Sequence, residues 1–200
     1  MSLLQGRKIG IVLTIKQLGD TAILKEIEKI ILAGAELFII PLELPEKKEK
    51  AIIKVQHFFR QLSRETHQKG AAKEAPVRGE ADLPGRLSYP SLDLVAVFPN
   101  SEHFLSFLDQ ALPEEHTSPP LVVISLLEGE PAFALGYISS LMKKKGIFFV
   151  PFGPVSQRLG KKDKKSYLYS RLDLLTETCA AALEGLQIKP FTWENHLFPH

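Results

Sequence analysis

The segment Gly146-Ile147-Phe148-Phe149-Val150-Pro151-Phe152-Gly153 places four consecutive apolar residues between a glycine and a Pro-Phe-Gly turn. An apolar run of this length, bounded by turn residues, reads as a strand buried on both faces, the kind found in parallel sheets. Four further runs are of the same kind: Arg7 to Thr14, Ala35 to Pro41, Leu92 to Pro99 and Leu121 to Leu127. Separated by helical stretches, these five runs predict an α/β chain with one parallel five-stranded sheet and helices on both faces. The first run is expected to be a central strand with Ile9, Ile11 and Leu13 buried. Ligands of open parallel sheets sit beyond the carboxyl ends of the strands, so the residues just after each run are where function is to be sought.

Between the runs, Thr21 to Ala33 carries Ile23, Leu24, Ile27, Ile30 and Ile31 at helical spacing, with Gly34 where a left-handed cap belongs. The pattern from Pro45 to about Arg64 repeats this period with Ile52, Ile53, Val55, Phe58, Phe59 and Leu62. Periodicity is then lost over residues 65–90, which collect Gly70, Pro76, Gly79, Pro84, Gly85 and Pro90 and read as an exposed excursion. A short helix is expected from about Ser101 to Leu112, another over Pro131 to Lys145, and a long last one over Ser166 to Leu183 with Gly185 behind it. Residues 187–200 form an aromatic tail around Phe191, Phe198 and the only tryptophan, Trp193; such a tail packs either on its own domain or on a neighbouring protomer.

A length of 200 residues suits a single domain spanning 1–200. Lys and Arg outnumber Asp and Glu by only 25 to 23, so charge announces neither a nucleic-acid nor a membrane partner. The one cysteine, Cys179, lies in an Ala-rich helical pattern and reads as a buried structural thiol, which fits a reducing cytoplasm. No apolar run approaches the roughly 20 residues of a membrane span, and the N-terminus lacks the pattern of an export signal.

Several familiar sites are excluded by what is missing. The turn Thr14-Ile15-Lys16-Gln17-Leu18-Gly19 lacks the paired glycines of a dinucleotide fingerprint. Between Gly153 and Gly160 six residues intervene rather than the four of a P-loop, and Lys162 stands where a magnesium-binding hydroxyl belongs. The six histidines have no metal-site spacing, so no metal is expected. Ser125 ends a strand without a nucleophile elbow. The lysines at 143–145, and Arg158 with the lysines that follow it, read as a helix C-terminus and a solvated loop rather than a nucleic-acid surface.

A group of segments carries a resemblance. Gly6-Arg7-Lys8-Ile9-Gly10, Glu26-Ile27-Glu28-Lys29 with Gly34-Ala35-Glu36, Ser91-Leu92-Asp93, Ile147 to Gly153, and Ser170 to Leu175 with Ala182 to Gln187 and Pro190 resemble the family of dipicolinate synthase B-subunits. That family belongs to the flavoprotein-like group of FMN-binding decarboxylases and their relatives. The similarity covers most of the chain outside Glu65 to Leu83 and is most specific from Leu141 onward. It implies a three-layer Rossmann-like, flavodoxin-like sandwich with a central parallel sheet. It also implies an NADP-linked oxidation of dihydrodipicolinate to dipicolinate during sporulation, carried out with a separate dipicolinate synthase A-subunit that holds the NADP; a homo-oligomer stays open.

The cofactor-binding positions that the resemblance implies are Thr14, Lys16, Asn100, Ser101, Ser125, Pro151, Phe152 and Gly153. The loops depart from the family there: Ile15-Lys16-Gln17 fills the first, Glu102-His103-Phe104 follows Asn100-Ser101, and Leu127-Glu128-Gly129-Glu130-Pro131 brings two acids to the third. FMN binding is therefore expected to be weak or lost. A dicarboxylate substrate calls for an Arg or Lys contact, with Lys16 and Arg158 as candidates. Glu102, His103, Glu128 and Glu130 lie near the expected site edge, but each is more simply a helix-start acid or loop residue, and no catalytic base is assigned. A non-catalytic paralogue with an assembly or regulatory role is the alternative.

Overall fold

The computed structural model describes residues 3–14, 16–42, 72–74, 92–116, 119–127, 132–153 and 170–189. Its strands are β1 (Lys8–Thr14), β2 (Glu36–Leu42), β3 (Ala72–Glu74), β4 (Leu94–Val97), β5 (Leu121–Val123) and β6 (Ile147–Phe149). Its α-helices are α1 (Thr21–Leu32), α2 (Glu102–Ala111), α3 (Ala132–Leu141) and α4 (Leu175–Leu183), with 3-10 turns at Gln17–Gly19 and Leu172–Leu174. The strands form one sheet in the order β3-β2-β1-β4-β5-β6, and every pairing is parallel.

All five expected runs become strands, and the first is central with Ile9, Ile11 and Leu13 fully buried. Taken alone, these five follow the flavodoxin-like order 2-1-3-4-5. Among the described residues the sheet has six strands, however, not five. The added one, β3, lies within the stretch read as an excursion and pairs Ala72, Lys73 and Glu74 with Leu37, Phe38 and Ile39. Ala-Lys-Glu has no apolar run to betray a strand; what holds it is the free backbone edge of β2, a tertiary property. The helix expected over 45–64, the rest of 65–90 and the tail from Pro190 lie outside the described residues.

Alternation along the strands splits the core into two halves. Ile9, Ile11, Leu13, Leu37, Ile39, Leu94, Ala96 and Val122 meet Ile23, Ile27, Ile30 and Ile31 of α1 and Leu175, Cys179 and Ala182 of α4. Val12, Ile40, Val95, Val97, Leu121 and Val123 meet Phe104, Leu105 and Leu108 of α2 and Ala134, Ile138 and Leu141 of α3. Side chains of successive strand residues point to opposite faces, so these continuous apolar runs demand helices on both, and three layers result. Gly34, at φ 91°, ends α1 as expected: its N–H bonds to Ile31 O at 2.8 Å and Ala35 N–H to Ile30 O at 3.3 Å, a Schellman closure. The last helix is shorter than its pattern suggested. It starts at Leu175, because Ser170 and Arg171 are drawn into extended pairing with Phe152, Ser125 and Pro151. Burial pushes the Cys179 thiol up to about 12, which keeps it an inert core residue.

Opposite the strand carboxyl ends, residues 114–116 lie beside 145–146, with Lys145 N–H bonding to Glu114 O at 2.9 Å and His116 N–H to Lys145 O at 3.0 Å. His116 is buried, and its Nε2–H donates to Pro119 O at 2.8 Å. Desolvation by burial lowers its pKa below the ordinary 6.5, partly offset by that hydrogen bond. The unfolded chain therefore binds more protons around this histidine, so stability is full above pH 6.5 and falls as pH drops below it. Denaturant midpoints measured from pH 7.5 to 5 should decline, and His116→Gln should flatten the decline. Asp173, held low by the Arg171 guanidinium, acts only in a more acidic window below 3.8.

Candidate functional site

From β1 the chain crosses to β2 on one side of the sheet, while β4, β5 and β6 succeed each other on the other side. The crevice at the carboxyl ends of β1 and β4 is thus the topological switch point, where open parallel sheets take their ligands. The β1–β4 ladder is regular up to Phe98, whose N–H bonds to Val12 O at 3.2 Å. In a parallel ladder the next rung would run from Thr14 N–H to Phe98 O.

Gln17 stands in that rung. Its Oε1 accepts from Thr14 N at 2.9 Å and from Thr14 Oγ1 at 3.1 Å, and its Nε2 donates to Phe98 O at 2.9 Å. Gln17 is 7% exposed, and its carboxamide spaces the two strand ends apart by one amide unit. The 3-10 turn holds it there, with Asp20 N–H on Gln17 O at 3.0 Å and Gln17 N–H reaching Thr14 Oγ1 at 3.4 Å. Asp20 then caps α1, its Oδ1 accepting from Ala22 N at 2.8 Å and Ile23 N at 3.3 Å. A carboxylate of the chain itself thereby takes the amides that a phosphate would use at this helix start.

The loop after β4 exposes Asn100 and Ser101. Ser101 Oγ accepts from Phe104 N at 3.2 Å and caps α2, whose first turn holds Glu102; His103 is exposed beside it. Both are thus the helix-start residues that their spacing suggested.

After β5, Ser125 N–H donates to Ser170 Oγ at 2.9 Å while Ser170 N–H donates to Ser125 O at 2.9 Å. Ser170 Oγ in turn donates to Val150 O at 3.3 Å, so one serine ties together the ends of β5 and β6. The Ser125 hydroxyl is fully buried and has no hydrogen-bond partner among the described residues. After β6, Pro151 O accepts from Arg171 N at 2.8 Å. Phe152 is buried against Phe149, ring centroids 6.0 Å apart at 38°, and Gly153 is half-buried.

The expected positions therefore fall into three groups. Thr14 joins Gln17 and Phe98 at the switch point; Ser125, Pro151 and Phe152 are sealed around Ser170 and Arg171, with Gly153 half-buried next to Phe152; Lys16, Asn100 and Ser101 stand at the exposed rim. Arg158, Glu128 and Glu130 lie outside the described residues. Asp20 had a local signal, a capping residue directly before a helical period. The roles of Gln17, Ser170 and Gln187 had none, because each bonds to backbone far along the chain.

FMN, the cofactor that the resemblance implies, needs amides or cations for its phosphate. Among the described residues the α1 amides meet Asp20, an α2 amide meets Ser101 beside Glu102, and the switch-point rung holds Gln17. Lys16 alone offers an exposed cation in the described parts of these loops. These residues do not fit an FMN phosphate. Among the described residues there is also no cluster of three or more His, Cys, Asp or Glu able to hold a metal ion, and no helix long and apolar enough to cross a membrane.

No protein-family model matches the chain, and no curated protein matches it. Solved structures do. The dipicolinate synthase B-subunit from Bacillus halodurans is similar with a TM-score of 0.65 and 21% identity, over 96% of this chain and 98% of that one. The FMN-dependent cysteine decarboxylase SpaF is similar with a TM-score of 0.50 and 14% identity, over 92% and 98%. At these identities the likeness is one of fold, and it runs nearly end to end: the protein has the three-layer α/β fold of the dipicolinate synthase B-subunit.

Proposed function

We propose that the protein is the B-subunit of a dipicolinate synthase, working with a separate A-subunit to oxidise dihydrodipicolinate to dipicolinate with NADP in the cytoplasm of a sporulating cell. The observation that supports this reading most is the structural match to a B-subunit over almost the whole of both chains. The oxidation removes a hydride and a proton from the dihydropyridine ring, and the hydride passes to NADP. No dinucleotide fingerprint follows β1, so the nicotinamide site is assigned to the A-subunit. A substrate carboxylate calls for an Arg or Lys contact; of the candidates, Lys16 is exposed at the rim of the switch-point crevice and Arg158 lies outside the described residues.

The second reading is a non-catalytic paralogue, and Gln17 favours it: a chain that has filled its own switch-point crevice has less room for chemistry there. One comparison separates the two. Alone, the purified protein should neither carry a stoichiometric yellow flavin nor oxidise dihydrodipicolinate with NADP. Mixed with its cognate A-subunit, it should form a complex and support dipicolinate formation. Turnover by this chain alone would remove the partner from the reading, and a complex without stimulation would leave the paralogue.

A further inference from the structure

The edge of the sheet at β6 carries a feature that the crevice does not use. Leu121 N–H bonds to Gly146 O at 2.9 Å and Val150 N–H to Val123 O at 3.1 Å, so residues 146, 148 and 150 face β5. Residues 147, 149 and 151 therefore present their backbone polar groups to the open side. Phe149 is already served there: the Gln187 carboxamide accepts from Phe149 N at 2.7 Å and donates to Phe149 O at 2.8 Å. Pro151 O is served by Arg171. One amide group thus fills the Phe149 rung as a neighbouring strand would. Among the described residues nothing pairs with the next rung, Ile147.

That rung opens into a groove of about 770 Å³, lined on one wall by Met142 to Phe149 and on the other by Ala182, Leu183, Gly185 and Gln187. The floor is apolar, and one end is cationic. Lys144 is buried against Asp109, and Lys145 pairs with Glu115, which leaves Lys143 as the exposed cation without an ion-pair partner among the described residues. The groove lies at the start of β6, away from the strand carboxyl ends where the crevice sits.

We infer that the Ile147 edge and its groove are the docking surface for an extended, acidic segment of a partner polypeptide. The segment adds its backbone amide to Ile147 as Gln187 adds its side-chain carboxamide to Phe149, and sets a carboxylate against Lys143. An extended peptide supplies the amide donor and acceptor that the rung requires, and a carboxylate supplies the charge that Lys143 lacks. The inference rests on the proposed partnership, and its partner is the synthase A-subunit.

The test uses the purified A-subunit as the probe. Amide hydrogen exchange is followed at Ile147 in the free protein and in the complex, and affinities are measured for Lys143→Glu and for Lys25→Glu, an exposed charge reversal on α1. The Ile147 amide should gain strong protection in the complex. Lys143→Glu should weaken binding about tenfold or more, while Lys25→Glu stays within about twofold. A complex that forms with unchanged exchange at Ile147, or with equal effects of the two reversals, overturns the docking surface and leaves the functional reading standing. Absence of any complex overturns both.

Discussion

Replacing Gln17 by leucine is expected to lower the unfolding free energy by about 2–4 kcal/mol, measured by denaturant titration. The side chain makes three hydrogen bonds at the ends of β1 and β4 and is almost fully buried. Leucine fits the volume but leaves Thr14 N–H and Phe98 O without partners, and the strand ends cannot close directly because the side chain's width holds them apart. A buried unsatisfied donor and acceptor cost far more than the net value of the bonds they replace.

Gln17→Glu sharpens the test. It keeps an acceptor for Thr14 but turns a carboxylate oxygen toward Phe98 O, where an N–H had donated. Protonation restores the donor, so the folded state raises the carboxyl pKa of this variant above the ordinary ~4.3. Stability of the variant is then gained as pH falls toward that value and lost as pH rises, a trend opposite to the one that His116 imposes on the parent protein. A Gln17→Leu protein as stable as the parent, or a Gln17→Glu protein with the parent's pH trend, would sink the role assigned to this residue.

Gly146→Ala is expected to cost about 3–5 kcal/mol and to lower the melting temperature by roughly 10 °C. Two causes add. At φ 78° the backbone is left-handed, which costs an alanine about 1 kcal/mol or more. The added Cβ would also stand 1.7 Å from His116 O and 2.9 Å from His116 C. That neighbour is backbone, pinned by the His116 N–H bond to Lys145 O, so it cannot step aside as a side chain could. Gly10→Ala provides the contrast. Its nearest neighbour, at 2.7 Å, is the Leu92 Cδ1, a side-chain end that can rotate away, and its loss of stability should be clearly smaller. Equal losses at the two glycines would show that the fixed carbonyl is not what makes Gly146 obligatory.

Much of the architecture is legible in local sequence. The apolar runs at 7–14, 35–41, 92–99, 121–127 and 146–153 each place a strand, because a strand buried on both faces needs apolar residues at odd and even positions alike. The isoleucines of α1 and the capping Gly34 are equally local signals. Ala72–Glu74 was not legible, since three residues of mixed character join the sheet only because β2 offers a free edge. The start of α4 departs from the expected Ser166 for a related reason. Ser170 and Arg171 continue a helical-looking pattern, yet their backbone is claimed by the ends of β5 and β6.

The candidate site divides along the same line. Thr14, Asn100, Ser101, Ser125 and Gly153 could be assigned to strand ends, and the first loop recognised as poor in glycine, from neighbouring residues alone, because strand ends and turn composition are encoded within a few residues. Packing of the sheet is what sets Gln17 into a ladder rung 81 residues away in sequence, ties Ser170 to Ser125 across 45, and brings Gln187 to Phe149 across 38. Hydrogen-bond partners so far apart leave no periodicity in the chain. They are chosen by which backbone groups the strand order strands without a neighbour, and that order is a property of the packed sheet.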